Sequence, residues 1–290
     1  MKRVVAAAAG IAWASPALAH AGEHHEEIGW TLDPSITVPL ALAALLYAVG
    51  FVRLHHRADR GRGSLARQAG LYAAGWLLTA GAIISPLHEA GERSFTFHMV
   101  EHELLMLPAA LLLVAARPGP VLLWGLPRGV RQAVGSVSRW KAWRYLTDPI
   151  TATALQALAI WAWHVPGPFD LALRHEGWHI AQHLCFVLSA LVFWWAMLHR
   201  ASEPLAALCL FATSMIGGAL GALMALSTSP WYAAYTAMGL TPFGLSPAED
   251  QQFAGLIMWV PGGLFHLGAA LLFVGRWLSR RERRDAIVAE

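Results

Sequence analysis

Seven apolar runs constrain this chain more tightly than any other feature. They lie at 36–52, 69–85, 95–116, 150–164, 179–198, 205–226 and 253–278, and crossing about 30 Å of hydrocarbon takes roughly 20 such residues in a helix. Of the 290 residues only 13% are charged and 57% are hydrophobic, whereas an average soluble domain carries about twice that charge. A soluble globule is thereby excluded. The expected fold is all-α, a polytopic membrane protein of about seven transmembrane helices. The fourth run is the shortest and needs support from its flanks.

Ahead of the first run, Lys2 and Arg3 precede an Ala-rich apolar stretch from Val4 to Ala14, then Ser15-Pro16 and the small-residue site Ala17-Leu18-Ala19. This is the pattern of a secretory signal, so residues 1–19 are expected to be cleaved, and cleavage after Ala21 fits the same rule. An exported His/Glu-rich segment, 20–35, follows, then the membrane domain, 36–278, and a basic tail, 279–290. With the mature N-terminus outside, the inner segments carry Arg53 to Arg67, Arg117 to Arg144, Arg200 and Arg276 to Arg284, leaving Arg93 and Arg174 outside. The positive-inside rule agrees with that orientation and puts the C-terminus in the cytoplasm of a bacterial inner-membrane protein. Because the basic residues are spread over every inner loop, and the net charge is only +3, they speak for membrane lipid and against a nucleic-acid partner. The loop 118–149, with Trp124, Trp140 and Trp143, is expected to place an amphipathic segment on the inner leaflet. Gly217 and Gly221 form a small-xxx-small pair in the sixth run, where backbones can pack closely.

The chemistry gathers at the outer face. Ten of the fourteen histidines are expected there: His20, His24, His25, His88, His98, His102, His164, His175, His179 and His183. An imidazole in a spanning helix needs a partner, so such a cluster is a functional candidate by default. In the third run His98, His102 and Met106 are spaced i, i+4, i+8, which puts two imidazoles and a thioether on one face, each about 6 Å deeper than the last. The fifth run repeats the pattern with His175, His179 and His183. Two facing helices with paired histidines make a site of four nitrogens, His98, His102, His179 and His183, with Met106, His164 and Met258 as accessory ligands. Imidazole with thioether sulfur suits copper better than a hard cation, and Cu(I) in particular.

The exported end offers a second hint. A free amino-terminal His20 would chelate Cu(II) through amine and ring, and Gly22-Glu23-His24 would do so after the alternative cleavage. His20, His24 and His25 are therefore expected to capture copper. Two other chemistries compete. His98-Met99-Val100-Glu101-His102 fits the H-x-x-E-H pattern in which two histidines hold zinc and the glutamate acts as base. One histidine from each of two helices would also ligate haem b axially. Before the seventh run, Ser246 or Asp250 can cap the helix, while Asp250 and Gln251 are the candidates for orienting the histidine rings from behind, alongside Glu101. Pro261-Gly262-Gly263 is expected to kink that helix between Met258 and His266.

Four ordered motifs also carry a resemblance. His98-Met99 with Glu101-His102 and Leu104-Leu105-Met106, then Trp163-His164-Val165-Pro166, then His179 with His183-Leu184, then Ser246-Pro247 through Asp250-Gln251-Gln252 and Ala254-Gly255 to Met258-Trp259 and Pro261-Gly262-Gly263 together resemble the caa3-type CtaG family of cytochrome c oxidase assembly factors. The resemblance spans most of the chain from the third run onwards. It implies a membrane protein, not an enzyme, that assists assembly of haem-copper terminal oxidases by supplying copper. Its implied partners are an oxidase subunit and an extracytoplasmic copper chaperone. Members of the family often have glutamine where this chain has Glu101, a departure that adds a negative charge and keeps the zinc alternative open.

Overall fold

A computed structural model describes residues 29–58, 61–135 and 140–289. The expected signal segment and the histidines His20, His24 and His25 lie outside the described residues. Every described element is helical: α1 (Pro34–Arg57), α2 (Arg62–Ile84), α3 (Pro86–Arg93), α4 (Phe95–Leu104), a π turn (Leu105–Ala109), α5 (Ala110–Ala115), α6 (Gly119–Gly125), α7 (Arg128–Gly135), α8 (Lys141–Leu146), α9 (Pro149–His164), α10 (Pro166–Arg174), α11 (Glu176–His199), α12 (Glu203–Leu226), α13 (Ala233–Met238) and α14 (Pro247–Ala289). Each of the seven apolar runs falls in helix, give or take a terminal residue.

The count of spans is smaller than seven by length. Five helical stretches are each long and apolar enough to cross a membrane: Pro34–Arg57, Phe95–Ala115, Glu176–His199, Glu203–Leu226 and Pro247–Asp285. The pair α2 and α3, bent by 46°, adds a sixth if taken as one broken span. The fourth run forms α9, whose 16 residues reach only about 24 Å at 1.5 Å per residue. Its ends are set by the sequence: Asp148 accepts from the backbone N–H groups of Ile150 and Thr151 at 3.1 Å, and Pro166 starts a new helix after an extended Val165. Leu42, Leu77, Leu158, Leu188, Leu208, Leu264 and Leu271 stay more than half exposed on the outside of the bundle, as side chains facing lipid tails would.

Prolines inside two of the spans have opposite effects. The third span contains the π turn, and its cause is Pro108. Proline has no N–H to give the carbonyl one turn back and its ring crowds that carbonyl, so the helix widens. The Trp194 indole of α11 donates to the Met106 carbonyl there at 3.0 Å, which ties the widened turn to the neighbouring span. In contrast, α14 runs unbroken for 43 residues through Pro261 and on into the expected basic tail.

The most extensive crossing joins α12 to α14. A methyl group on Gly221 would stand 2.7 Å from the Gly255 carbonyl oxygen, and one on Gly255 would stand 2.5 Å from the Gly221 oxygen. The backbones touch because neither residue has a side chain, which is how membrane helices associate when lipid offers no hydrophobic contrast. The close-packing role thus falls to Gly221 with Gly255, while Gly217 only meets the Met258 methyl at 4.0 Å. Because each span reverses direction, the short helices α3, α10 and α13 collect at one end of the bundle. The Arg-rich segments α6 to α8 and the end of α14 collect at the other. There Arg280 pairs with Glu203 at 3.1 Å and Arg53 donates to the Trp124 carbonyl at 2.9 Å.

Candidate metal centre

Six imidazoles converge beneath α3, α10 and α13. His98 and His102 come from α4, His179 and His183 from α11, His164 from the end of α9 and His88 from α3. The rings of His98 and His102 lie 4.2 Å apart, those of His179 and His183 4.4 Å, and across the helices His102 meets His183 at 4.9 Å and His98 meets His179 at 5.6 Å. The third and fifth spans therefore face each other through these four residues. His175, the outermost member of the fifth-run stripe, is exposed at the start of α11 and stays outside the cluster.

One nitrogen from each of His98, His102 and His183 lies within 4.8 Å of the other two. Around a metal with bonds of about 2 Å, three such nitrogens would stand about 3.5 Å apart, so ring rotations of roughly 1 Å close the set. Few of these nitrogens have another partner in good hydrogen-bond geometry, although the buried Gln182 side chain stands beside His98. Both ring nitrogens of His98 and His102, and Nε2 of His183, His179 and His164, are shielded from solvent with no hydrogen-bond partner. His98 and His102 are each 1% exposed. Buried polar atoms are almost always paired, because leaving one unpaired costs about 1–3 kcal/mol; five histidines in that condition side by side have nitrogens to offer a ligand or a bound water.

The rings are aimed from behind. Glu101, fully buried, accepts from His88 Nδ1 at 2.8 Å and stands 3.7 Å from His183 Nδ1. His164 Nδ1 donates to the Ile160 carbonyl at 2.7 Å, which fixes that tautomer and leaves Nε2 bare. His164 shares Phe169 and Phe186 as ring neighbours with His98 and His102. Close behind, Phe95 meets Phe169 and Tyr232 edge-on and Phe169 lies tilted against Tyr232, with ring centroids 4.1–5.2 Å apart, and the Tyr235 hydroxyl donates to the Gly91 carbonyl at 2.6 Å. With Phe95 of α4, these aromatics at α10 and α13 pack over one side of the histidine cluster.

The remaining expected residues go elsewhere. Asp250 touches no imidazole: it caps α4 from another helix, accepting from Ser94 Oγ at 2.8 Å, Phe95 N at 2.6 Å and Thr96 N at 3.1 Å. It thereby sets where the helix bearing His98 and His102 begins. Gln251 accepts from Trp231 N at 2.6 Å and donates to the Ser229 carbonyl at 3.2 Å, holding the chain before α13. Met106 and Met258 do not reach the imidazoles but line a separate, deeper cavity together with Glu103 and His266.

Sequence reasoning gave His88 no role and passed over Glu92. These two join His179 in a second set whose ligand atoms lie within 4.8 Å of one another. The signal was present in Pro86-Leu87-His88-Glu89-Ala90-Gly91-Glu92, because His88 and Glu92 are four apart and so share a helix face. What hid it was the bend between α2 and α3, which brings that face back over the chamber. Gly91 permits the approach: a methyl group there would come within 3.2 Å of the His98 Cα.

Three imidazoles around one point, beside a second set that adds a carboxylate, are a donor set that would suit a borderline or soft cation. Glu101, the residue a zinc hydrolase would use as base, is enclosed and has one oxygen committed to His88.

Residues 45–280 match the family model described as cytochrome c oxidase caa3 assembly factor. Uncharacterized proteins of Mycobacterium bovis and Mycobacterium tuberculosis are each 28% identical over 275 residues, and one of Mycobacterium leprae is 25% identical over 276. Each alignment takes in 89% of this chain but 40% of the relative, so the chain spans about two fifths of the length of the curated relatives it matches. No solved structure matches.

Proposed function

The chain belongs to the cytochrome c oxidase caa3 assembly factor family, and on that footing we propose that it carries copper as cargo on the outer side of a bacterial inner membrane and passes it to a subunit of a haem-copper oxidase. The observation that carries this reading is the trio His98, His102 and His183, with nitrogens within 4.8 Å of one another and no competing hydrogen bonds at the nitrogens that would bind. Imidazole nitrogens suit copper among the borderline metals, and a site without thiolate leaves the ion exchangeable; what favours copper here is the oxidase-assembly family. His88, Glu92 and His179 lie nearer the surface and offer the first station. From there an ion moves inward to the trio, under the field of Glu101, whose single negative charge offsets that of one monovalent ion.

The positive-inside pattern supports placing this chamber outside, where a copper chaperone would meet it and where His20, His24 and His25 would lie if the leader is removed. The role is one of transfer, so no bond in a substrate is made or broken by these residues. The test is complementation of a strain lacking the protein. Wild type is expected to restore the copper-to-haem ratio of the purified oxidase, and His98→Ala/His183→Ala, present in the membrane at equal amount, is expected not to. Full restoration by the double variant would refute the proposal.

A further inference from the structure

Below the histidine cluster lies a cavity that the transfer reading does not use. It is lined by Glu103 and Met106 from the third span, Gln156 from α9, Ser214 from α12, and Met258 and His266 from α14. Its volume is about 20 Å³, room for one water-sized occupant. Its donor set is unusual for a membrane interior. The Met106 sulfur accepts from Gln156 Nε2 at 3.8 Å. His266 Nδ1 donates to the Gly262 carbonyl at 2.9 Å, which leaves its Nε2 as a bare lone pair. Glu103 Oε2 and Gln156 Oε1 are shielded and unpartnered, and Gln156 is 2% exposed.

A carboxylate and an imidazole at this depth are costly unless something answers them. Two thioethers beside them narrow what that is. Thioether sulfur binds Cu(I) and ignores hard cations such as sodium, magnesium or calcium. On giving up its proton to a bound cation, one carboxyl group balances one positive charge, which again fits a monovalent ion. The placement follows from the stripe: Met106 is one helical turn, about 6 Å, below His102 on the same span, and the π turn with Trp194 holds it there.

We propose that Met106, Met258, His266 and Glu103 form a second Cu(I) site, stacked beneath the histidine site towards the membrane interior. The chain then holds two coppers, the deeper one bound about 6 Å further along the third span. This rests on the copper-handling reading of the outer site, but the two can fail separately. Purified full-length protein in detergent is loaded with Cu(I) under ascorbate against a chromogenic Cu(I) competitor, and copper per chain is compared with X-ray absorption for sulfur ligation. Met106→Leu/Met258→Leu preserves volume, and Glu103→Gln serves as a gentler second variant.

Wild type is expected to bind two coppers with sulfur in the ligand shell. The Met pair is expected to lose one copper and the sulfur signal, and Glu103→Gln to bind the deep copper about tenfold more weakly, by analogy with removal of other partners that tune a metal site. His98→Ala/His183→Ala should lose the other copper and keep the sulfur signal. Sulfur-free copper in wild type, or unchanged copper in the Met pair, overturns the second site while leaving the outer one standing. Loss of copper in the Met pair alone supports the second site and counts against the outer one.

Discussion

Asp250→Ala tests whether one side chain on α14 determines the start of the helix that presents His98 and His102. The carboxylate is 2% exposed and accepts three hydrogen bonds, from Ser94 Oγ, Phe95 N and Thr96 N. Alanine leaves all three donors without that acceptor. At about 1–3 kcal/mol for each unsatisfied buried donor, with some recovered by relaxation, the loss is roughly 3–6 kcal/mol, above the ~0.5–2 kcal/mol of an ordinary exposed cap. Asparagine keeps one oxygen acceptor and brings an unwanted N–H₂, so it should cost about half as much. Since about 1 kcal/mol moves the midpoint of a protein this size by roughly 2–4 °C, Asp250→Ala should melt on the order of 10 °C below wild type in detergent. Asp250→Asn should fall between them. The same variant should bind copper more weakly at the histidine chamber, because fraying the first turn of α4 displaces His98, which lies within it. If Asp250→Ala melts with wild type, the capping argument is wrong and α4 is held by packing alone.

Other consequences arise from the same geometry. Glu101→Gln keeps the shape of the buried side chain but removes the charge facing His88 and His183, so copper affinity at the outer chamber should fall about 10–100-fold with helix content by circular dichroism unchanged. Gly255→Ala puts a methyl group 2.5 Å from backbone atoms of α12 and should cost about 1–3 kcal/mol as α12 and α14 part, read as a lower melting temperature; an unchanged value would mean the crossing is slack. Trp194→Phe strips the indole donor from the Met106 carbonyl and should cost about 1–3 kcal/mol, whereas Trp195→Phe on the same helix should cost less.

The membrane class and the histidine pair on each of two helices were legible because both are periodic properties of a single helix. Apolar length announces a span, and spacing of four announces a shared face. The partnership of α4 with α11 was guessed from chemistry, since nothing in one helix states which neighbour its face will meet. The parts that escaped were those that depend on breaks. The bend at Ser85-Pro86 folds His88 and Glu92 over the chamber, Pro108 widens the third span so that Met106 belongs to a deeper cavity, and Pro166 leaves α9 at 16 residues. Each proline is visible in the sequence, but the direction in which it redirects the chain is set by packing. Asp250 shows a further limit: the sequence points to a cap at the start of its own helix, whereas the carboxylate caps α4, 155 residues away in the chain.

The measurement that bears most directly on the central claim is copper content after anaerobic Cu(I) loading and desalting, comparing wild type with His98→Ala/His183→Ala at matched helix content. Loss of one copper per chain in the double variant is the predicted result, and equal copper in the two proteins would contradict it.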